Sequence, residues 1–277
     1  MKAWLSCPLK FKFRYVDGIK SPTTPSLFLG KRVHAGLEFF YRHLQDGEHL
    51  TTGDVLRHMA EQWQDAVVAE GMFFDSADDE PALRQQAAAL VDAYLDARDP
   101  DEGHPIAVEA PLRCPLIDPV GETDLGISLL GYVDLVLDSP VGLVIIDFKT
   151  AGRSSPPLEI VHELQLSCYA YALRQMFGRK EGELQIRSLI KTKTPKIETH
   201  QYPPRSDMHF RRLPHLGRGE PSRTLFTCQV QMSRSLRGLA ADSYGLRVRF
   251  LTGHPAVHPA ELRARRGSCR EAHRSQM

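Results

Sequence analysis

The stretch from Gly131 to Lys149, G-Y-V-D-L-V-L-D-S-P-V-G-L-V-I-I-D-F-K, constrains this 277-residue chain more than any other. Tyr132 to Leu137 and Leu143 to Lys149 are rich in Val, Ile, Leu and aromatic residues, and Asp138 to Gly142 between them is turn chemistry. The pattern predicts two antiparallel strands joined by a tight turn. With the turn centred on Pro140-Val141 and no bulge, counting outward places Asp134 opposite Asp147. Facing positions lie about 4.5–5.5 Å apart at Cβ, and strand alternation brings Lys149 to the same face as Asp147. Two carboxylates that close repel each other, and one stays protonated unless a cation lies between them. A hard divalent cation takes oxygen ligands of this kind. A lysine beside it can stabilise charge developing on a reacting phosphate or help position the attacking water. The alternative is a surface hairpin with scattered charges. Against it stand the depletion of Asp and Lys in strands and the four apolar residues before Asp147.

At this length, one large domain or two small ones are possible. The apolar share of 42% is ample for a core. No run of about 18 uncharged apolar residues exists, so no membrane span is expected. The first residues have too short an apolar stretch for a secretory signal. Five cysteines, at 7, 114, 168, 228 and 269, are scattered with no C-x-x-C pair, which points to a reducing, cytoplasmic setting. The net charge of +1 hides an asymmetry: residues 205–277 hold 14 Arg, no Lys and 5 acidic residues. That tail reads as a cationic segment adding salt-dependent affinity for nucleic acid. Its alternatives are a disordered terminus, or a tail foreign to the body, as after a shifted reading frame.

Elsewhere the periods are ordinary. Phe11, Phe13 and Tyr15 alternate with Lys10, Lys12 and Arg14, a basic and aromatic surface for a nucleic-acid strand or an amphipathic segment packed on the body. Helical spacing predicts helices over Pro25 to Gln45, Thr52 to Glu70 and Glu80 to Arg98. His34 lies on or beside the apolar stripe of the first, as a satisfied core residue or a ligand. Ile106 to Leu112 reads as a strand, with Glu109 taken as solvent-facing and a place near the metal as its alternative. Leu158 to Phe177 reads as a helix in which Gln165 and Tyr169, four apart, share a face. Leu184 to Lys191 and Ile197 to Tyr202 read as a further strand pair with a basic tip.

Taken together, His34 on an early helix, G-Y-V-D at 131–134, I-I-D-F-K-T at 145–150 and Q-L-S-C-Y at 165–169 resemble the PD-(D/E)XK nuclease superfamily. The similarity is to its RecB-like branch, with the AddB nuclease domain and CRISPR-associated Cas-type exonucleases, and covers roughly residues 5 to 204. The resemblance implies an α/β fold with a restriction-endonuclease-like core: a central mixed β-sheet flanked by helices, with an N-terminal helical part. A nuclease domain would span 1–204, followed by the atypical basic tail 205–277. His34, Asp134, Asp147 and the Phe148 carbonyl would bind Mg²⁺ or Mn²⁺, Lys149 would be the catalytic lysine, and Gln165 and Tyr169 would support the site and contact DNA. Many members of the branch hold an iron–sulfur cluster with one early cysteine and three late ones. Cys7 matches the first position, but the late group is missing, since Cys228 and Cys269 stand far apart, and this puts a cluster in doubt.

The function implied is a metal-dependent DNA nuclease, an exonuclease on single strands or ends, serving repair, recombination or CRISPR-type processing beside a helicase or repair partner. The alternative is a catalytically impaired nucleic-acid-binding protein that keeps the fold. A third reading is a structural domain with a coincidental D-x-K.

Overall fold

The computed structural model describes residues 7–19, 22–118, 121–154, 159–211 and 213. The chain divides into units 1–244 and 245–277, and every described residue belongs to the first. The late cysteines, Cys228 and Cys269, and the tail beyond residue 213 lie outside the described residues.

A short helix α1 (Pro8–Phe11) runs into a π-helical turn, Lys12–Val16, with Leu9 and Phe13 exposed. Four helices follow: α2 (Pro25–Gln45), α3 (Thr52–Glu61), α4 (Trp63–Glu70) and α5 (Asp79–Ala97). Pro25 opens α2, where its missing N–H costs nothing, and the Thr24 hydroxyl caps it by accepting from the Leu27 N–H at 3.3 Å. Thr51 and Asp54 form a capping box at α3. The single helix expected over Thr52 to Glu70 breaks at Gln62. The break turns Trp63 into the core, edge-on to Phe28 at 5.2 Å.

Among the described residues the sheet has five strands in chain order: β1 (His104–Asp118), β2 (Thr123–Ser139), β3 (Gly142–Ala151), β4 (Glu181–Ile190) and β5 (Lys196–Tyr202). All neighbours are antiparallel except β3 and β4, which run parallel and are joined across one face by α6 (Glu159–Phe177). The expected mixed sheet flanked by helices is therefore present. Both faces are covered. Ile145, Ile186 and Leu184 pack against α6, while Leu135, Leu137, Val144, Ile146 and Phe148 pack against the α2–α5 bundle. Coverage on both sides explains why β2 and β3 read as unbroken apolar runs rather than alternating ones.

Packing continues past residue 204. Arg205 is buried, and Leu213 joins the α6 core beyond a one-turn helix, α7 (Asp207–Phe210). The Arg205 N–H donates to Glu181 at 2.7 Å, and Glu181 also takes a two-pronged contact from Arg174. Where β4 begins, the backbone of Val141 passes so close to Gly182 that a Cβ there would sit 2.0 Å from the Val141 carbonyl oxygen. Backbone cannot yield as a side-chain tip can. Gly182→Ala is expected to destabilise by about 3 kcal/mol, read as a lower denaturant midpoint with unchanged slope.

Candidate active site

The site forms where the hairpin stops pairing. The β2–β3 ladder runs from Ser139–Gly142 to Leu135–Ile146 and ends there. Its register is the one the turn predicts, so Asp134 and Asp147 occupy the next rung, beyond the last paired residues. Below that point β2 stays on β1 and β3 stays on β4. The Phe148 N–H donates instead to Asp134 Oδ2 at 2.8 Å. A side chain thus takes over a backbone donor that would otherwise be buried without a partner, and it ties the two diverging strands together.

His34 and Glu109 complete one side of this gap. His34 Nδ1 lies 3.5 Å from Glu109 Oε1 and 3.8 Å from Asp134 Oδ2. One ligand atom from each of His34, Glu109 and Asp134 falls within 4.8 Å of the others. The His34 ring also stands edge-on to Phe148, centroids 6.1 Å apart. α2 approaches β3 closely enough that a Cβ on Gly30 would lie 2.9 Å from Thr150 Oγ1, and this approach helps His34 reach the gap.

Glu109 corrects the solvent-facing expectation. Its flanking residues pair with those flanking Asp134: Val108 with Leu135, and Ala110 with Val133. Glu109 itself is left-handed, with φ of 42°. That conformation is uncommon for a residue with a Cβ, and its side chain is only 10% exposed. The signal in the sequence was weak, because the β1–β2 register shifts between Pro115 and Ile117, so counting outward from the connection at 119–122 does not give the pairing around Glu109.

Asp147 is held from the opposite side. It is 1% exposed. Gln165 Nε2 donates to Asp147 Oδ1 at 2.6 Å and to the Tyr169 hydroxyl at 2.9 Å, while the Tyr169 hydroxyl donates to the same Oδ1 at 3.4 Å. Lys149 forms an ion pair with Asp147 Oδ2. The structure therefore brings His34, Asp134, Asp147, Lys149, Gln165 and Tyr169 together. Gln165 and Tyr169 are buried, however, and their polar tips meet Asp147 rather than a surface. Gln165→Leu is expected to keep the fold and weaken divalent-metal affinity about 10- to 100-fold, the usual cost of removing a group that orients a ligand. Calorimetric titration of Mn²⁺ measures it.

Electrostatics say what the cluster lacks. Burial pushes Asp134 up to about 7, and the nearby Asp147 and Glu109 carboxylates add to the shift. Burial depresses His34, but Asp134 and Glu109 outweigh it and leave the imidazole above its ordinary value. Burial likewise keeps the Tyr169 hydroxyl protonated, well above its usual range. Three carboxylates and an imidazole converge, with His34 and Lys149 as the counter-charges acting on Asp134. Such a donor set suits a hard divalent cation, which would replace the protons now needed to keep the carboxylates together.

Among the described residues the cysteines stand apart from this set. Cys7 is exposed, and Cys114 and Cys168 are buried in the core. Among the described residues no helix is long and apolar enough to cross a membrane.

Comparison with known families matches the PD-(D/E)XK nuclease superfamily over residues 1–225, and the chain belongs to that superfamily. That superfamily is one of nucleases, and among the described residues His34, Glu109 and Asp134 offer ligand atoms that could hold a metal ion. Comparison with curated proteins gives no match. Among solved structures, the chain is similar to a candidate exonuclease from Eubacterium rectale, at 14% identity and a TM-score of 0.35. The match covers 61% of this chain and 64% of that one, less than two thirds of its length. It is also similar to the protein SSO0001, at 12% identity and a TM-score of 0.30, over 75% of this chain and 80% of that one.

Proposed function

We propose that the protein is a metal-dependent DNA exonuclease of the RecB-like branch, acting in the cytoplasm on single strands or ends in repair, recombination or CRISPR-type processing, beside a helicase or repair partner. The observation that carries this reading is the convergence of Asp134, Asp147 and Lys149 at the open end of the hairpin. His34, Asp134, Asp147 and the Phe148 carbonyl would hold Mg²⁺ or Mn²⁺, with Glu109 as an added carboxylate. A divalent ion held by these residues would supply a water of lowered pKa and polarisation of the scissile phosphate. Asp134 fixes the β3 backbone through the Phe148 N–H. Gln165 and Tyr169 hold Asp147 in one rotamer. Lys149 sets its ammonium against the charge that builds on the phosphate in the transition state. The Arg-rich C-terminal segment adds non-specific attraction for the strand.

The test is a cleavage assay on labelled single- and double-stranded DNA and on RNA, with Mg²⁺ or Mn²⁺, comparing the intact protein with Lys149→Ala. The variant is expected to fold and to lose about 100- to 1,000-fold in rate. Stepwise ladders from one end identify an exonuclease. A well-folded protein that binds Mn²⁺ and cuts none of these substrates would sink the reading.

A further inference from the structure

Above the carboxylate–imidazole cluster on α2, α2 and α3 line an open cavity of about 230 Å³ that the reaction as described does not use. Arg32, Glu38, Phe39 and Arg42 of α2 line one side, and His58 and Gln62 line the other. Glu38 lies one helical turn beyond His34 and on the same side of α2, so the Glu38 end of the cavity is the one nearer the site. From His34 to Arg42 is about 12 Å of helix axis at 1.5 Å per residue. That is the reach of a few nucleotides, at about 3.4 Å each along a duplex strand.

The lining is short of negative charge. Arg32 is 14% exposed, and its nearest carboxylate, Glu70, stands 3.9 Å away. Its Nε is buried with no hydrogen-bond partner among the described residues. Burial holds this guanidinium below its ordinary value, more than Glu70 restores. Glu38 is already engaged by Arg42, whose Nε and terminal nitrogen each lie 2.8 Å from Oε1. Arg42 is 48% exposed and keeps other N–H groups free of that pair. His58 lies flat on Phe39, centroids 3.7 Å apart and planes within 4°, and Gln62 is exposed at the rim. Arg42 faces Glu38 and Arg32 faces Glu70, which Lys31 also pairs, so three cations stand against two carboxylates with His58 neutral. The volume falls below the about 300–1,000 Å³ of pockets that enclose a whole small molecule. It suits one group of a larger ligand.

We propose that this cavity is a phosphate subsite of the nuclease, in which Arg32 and Arg42 hold a phosphate of the substrate strand a few nucleotides from the one being cut. The inference rests on the nuclease reading. Arginine forks match phosphate oxygens in pairs, so the contact fixes the strand's register on α2 while His34, on the same helix, meets the cluster.

Three single-stranded oligodeoxynucleotides of one sequence serve as probes: 5′-phosphorylated, 3′-phosphorylated, and bare at both ends. Binding is read by fluorescence anisotropy against salt for the full chain, its Arg32→Gln and Arg42→Gln variants, and Gln62→Glu. The last adds a negative charge at an exposed position and keeps the fold if either arginine change does not. If the occupant is a bridging phosphate, every variant binds all three probes roughly tenfold more weakly. For the arginine variants the slope of log K against log salt also falls by about 0.7. If the occupant is a terminal phosphate, the loss is confined to one of the two end-phosphorylated probes. Unchanged affinity and slope in all variants would overturn the subsite while leaving a cutting enzyme intact. A wild-type protein that neither binds nor cuts would instead overturn the nuclease reading itself.

Discussion

Replacing Asp134 with asparagine is expected to cost about 100- to 1,000-fold in metal-dependent cleavage and at the same time to stabilise the metal-free protein. Both effects have one cause. Asp134 is buried beside Asp147 and Glu109, and its carboxyl is raised to about 7. A carboxyl that binds its proton more tightly in the folded state than in the unfolded chain favours folding at low pH. The benefit fades as pH rises from the ordinary carboxylate range through about 7, where the charge must be carried inside the protein. Asparagine carries no charge, and its amide oxygen still accepts the Phe148 N–H that Asp134 Oδ2 now takes at 2.8 Å. The gain should be about 0.5–2 kcal/mol at pH 8 and should vanish toward pH 4. Calorimetric melts in chelator at the two pH values measure it. A variant less stable than wild type at pH 8 would show that the site is not strained by its own carboxylates.

That strain explains which parts of the site could be read from the chain and which could not. The Asp134–Asp147 rung was legible because a two-residue turn fixes a hairpin's register, and Ser139–Gly142 pairing confirms the turn. Gln165 and Tyr169 were legible as a pair from helical spacing, but only their common hydrogen-bonding to Asp147 shows what they do. His34 could not be separated by periodicity from an ordinary core histidine, and the family resemblance singled it out. Glu109 was hidden for a physical reason. Its direction depends on a left-handed residue in β1 and on a register shift between Pro115 and Ile117, and neither leaves a mark in a strand-like run. The α3–α4 break at Gln62 was hidden too, because the apolar spacing runs through it unchanged.

The largest loss of stability is expected from a residue that no motif marks. Arg187 lies on β4 opposite Phe148 and is 8% exposed. Its guanidinium pairs with Glu102 and donates to the Tyr94 hydroxyl at 2.7 Å and to Gln185 Oε1 at 2.9 Å. Glu102 also accepts from the Tyr41 hydroxyl at 2.7 Å and from Arg98 at 3.2 Å. The two phenols touch at 2.6 Å. Burial pushes Tyr94 up to about 12 and Tyr41 well above its usual value, so both stay protonated and able to donate. Sequence separations of 85 and 93 residues within the network put it beyond any local pattern. Arg187→Met keeps the volume but removes a charge from a buried pair, which costs about 3–5 kcal/mol when the partner is left behind. Pairing it with Glu102→Gln should recover much of that loss, since removing both charges together spares the stranded one. The damage should also reach the active site. The Phe148 ring rests on Tyr94 at 5.4 Å and on Tyr41 at 6.2 Å, and Phe148 lies between Asp147 and Lys149 on the same strand. Arg187→Met should therefore weaken Mn²⁺ binding by about tenfold even at temperatures where the variant is fully folded. Denaturant melts and calorimetric titration together decide it. A variant within about 0.5 kcal/mol of wild type would mean that apolar packing alone supports the strand carrying the site.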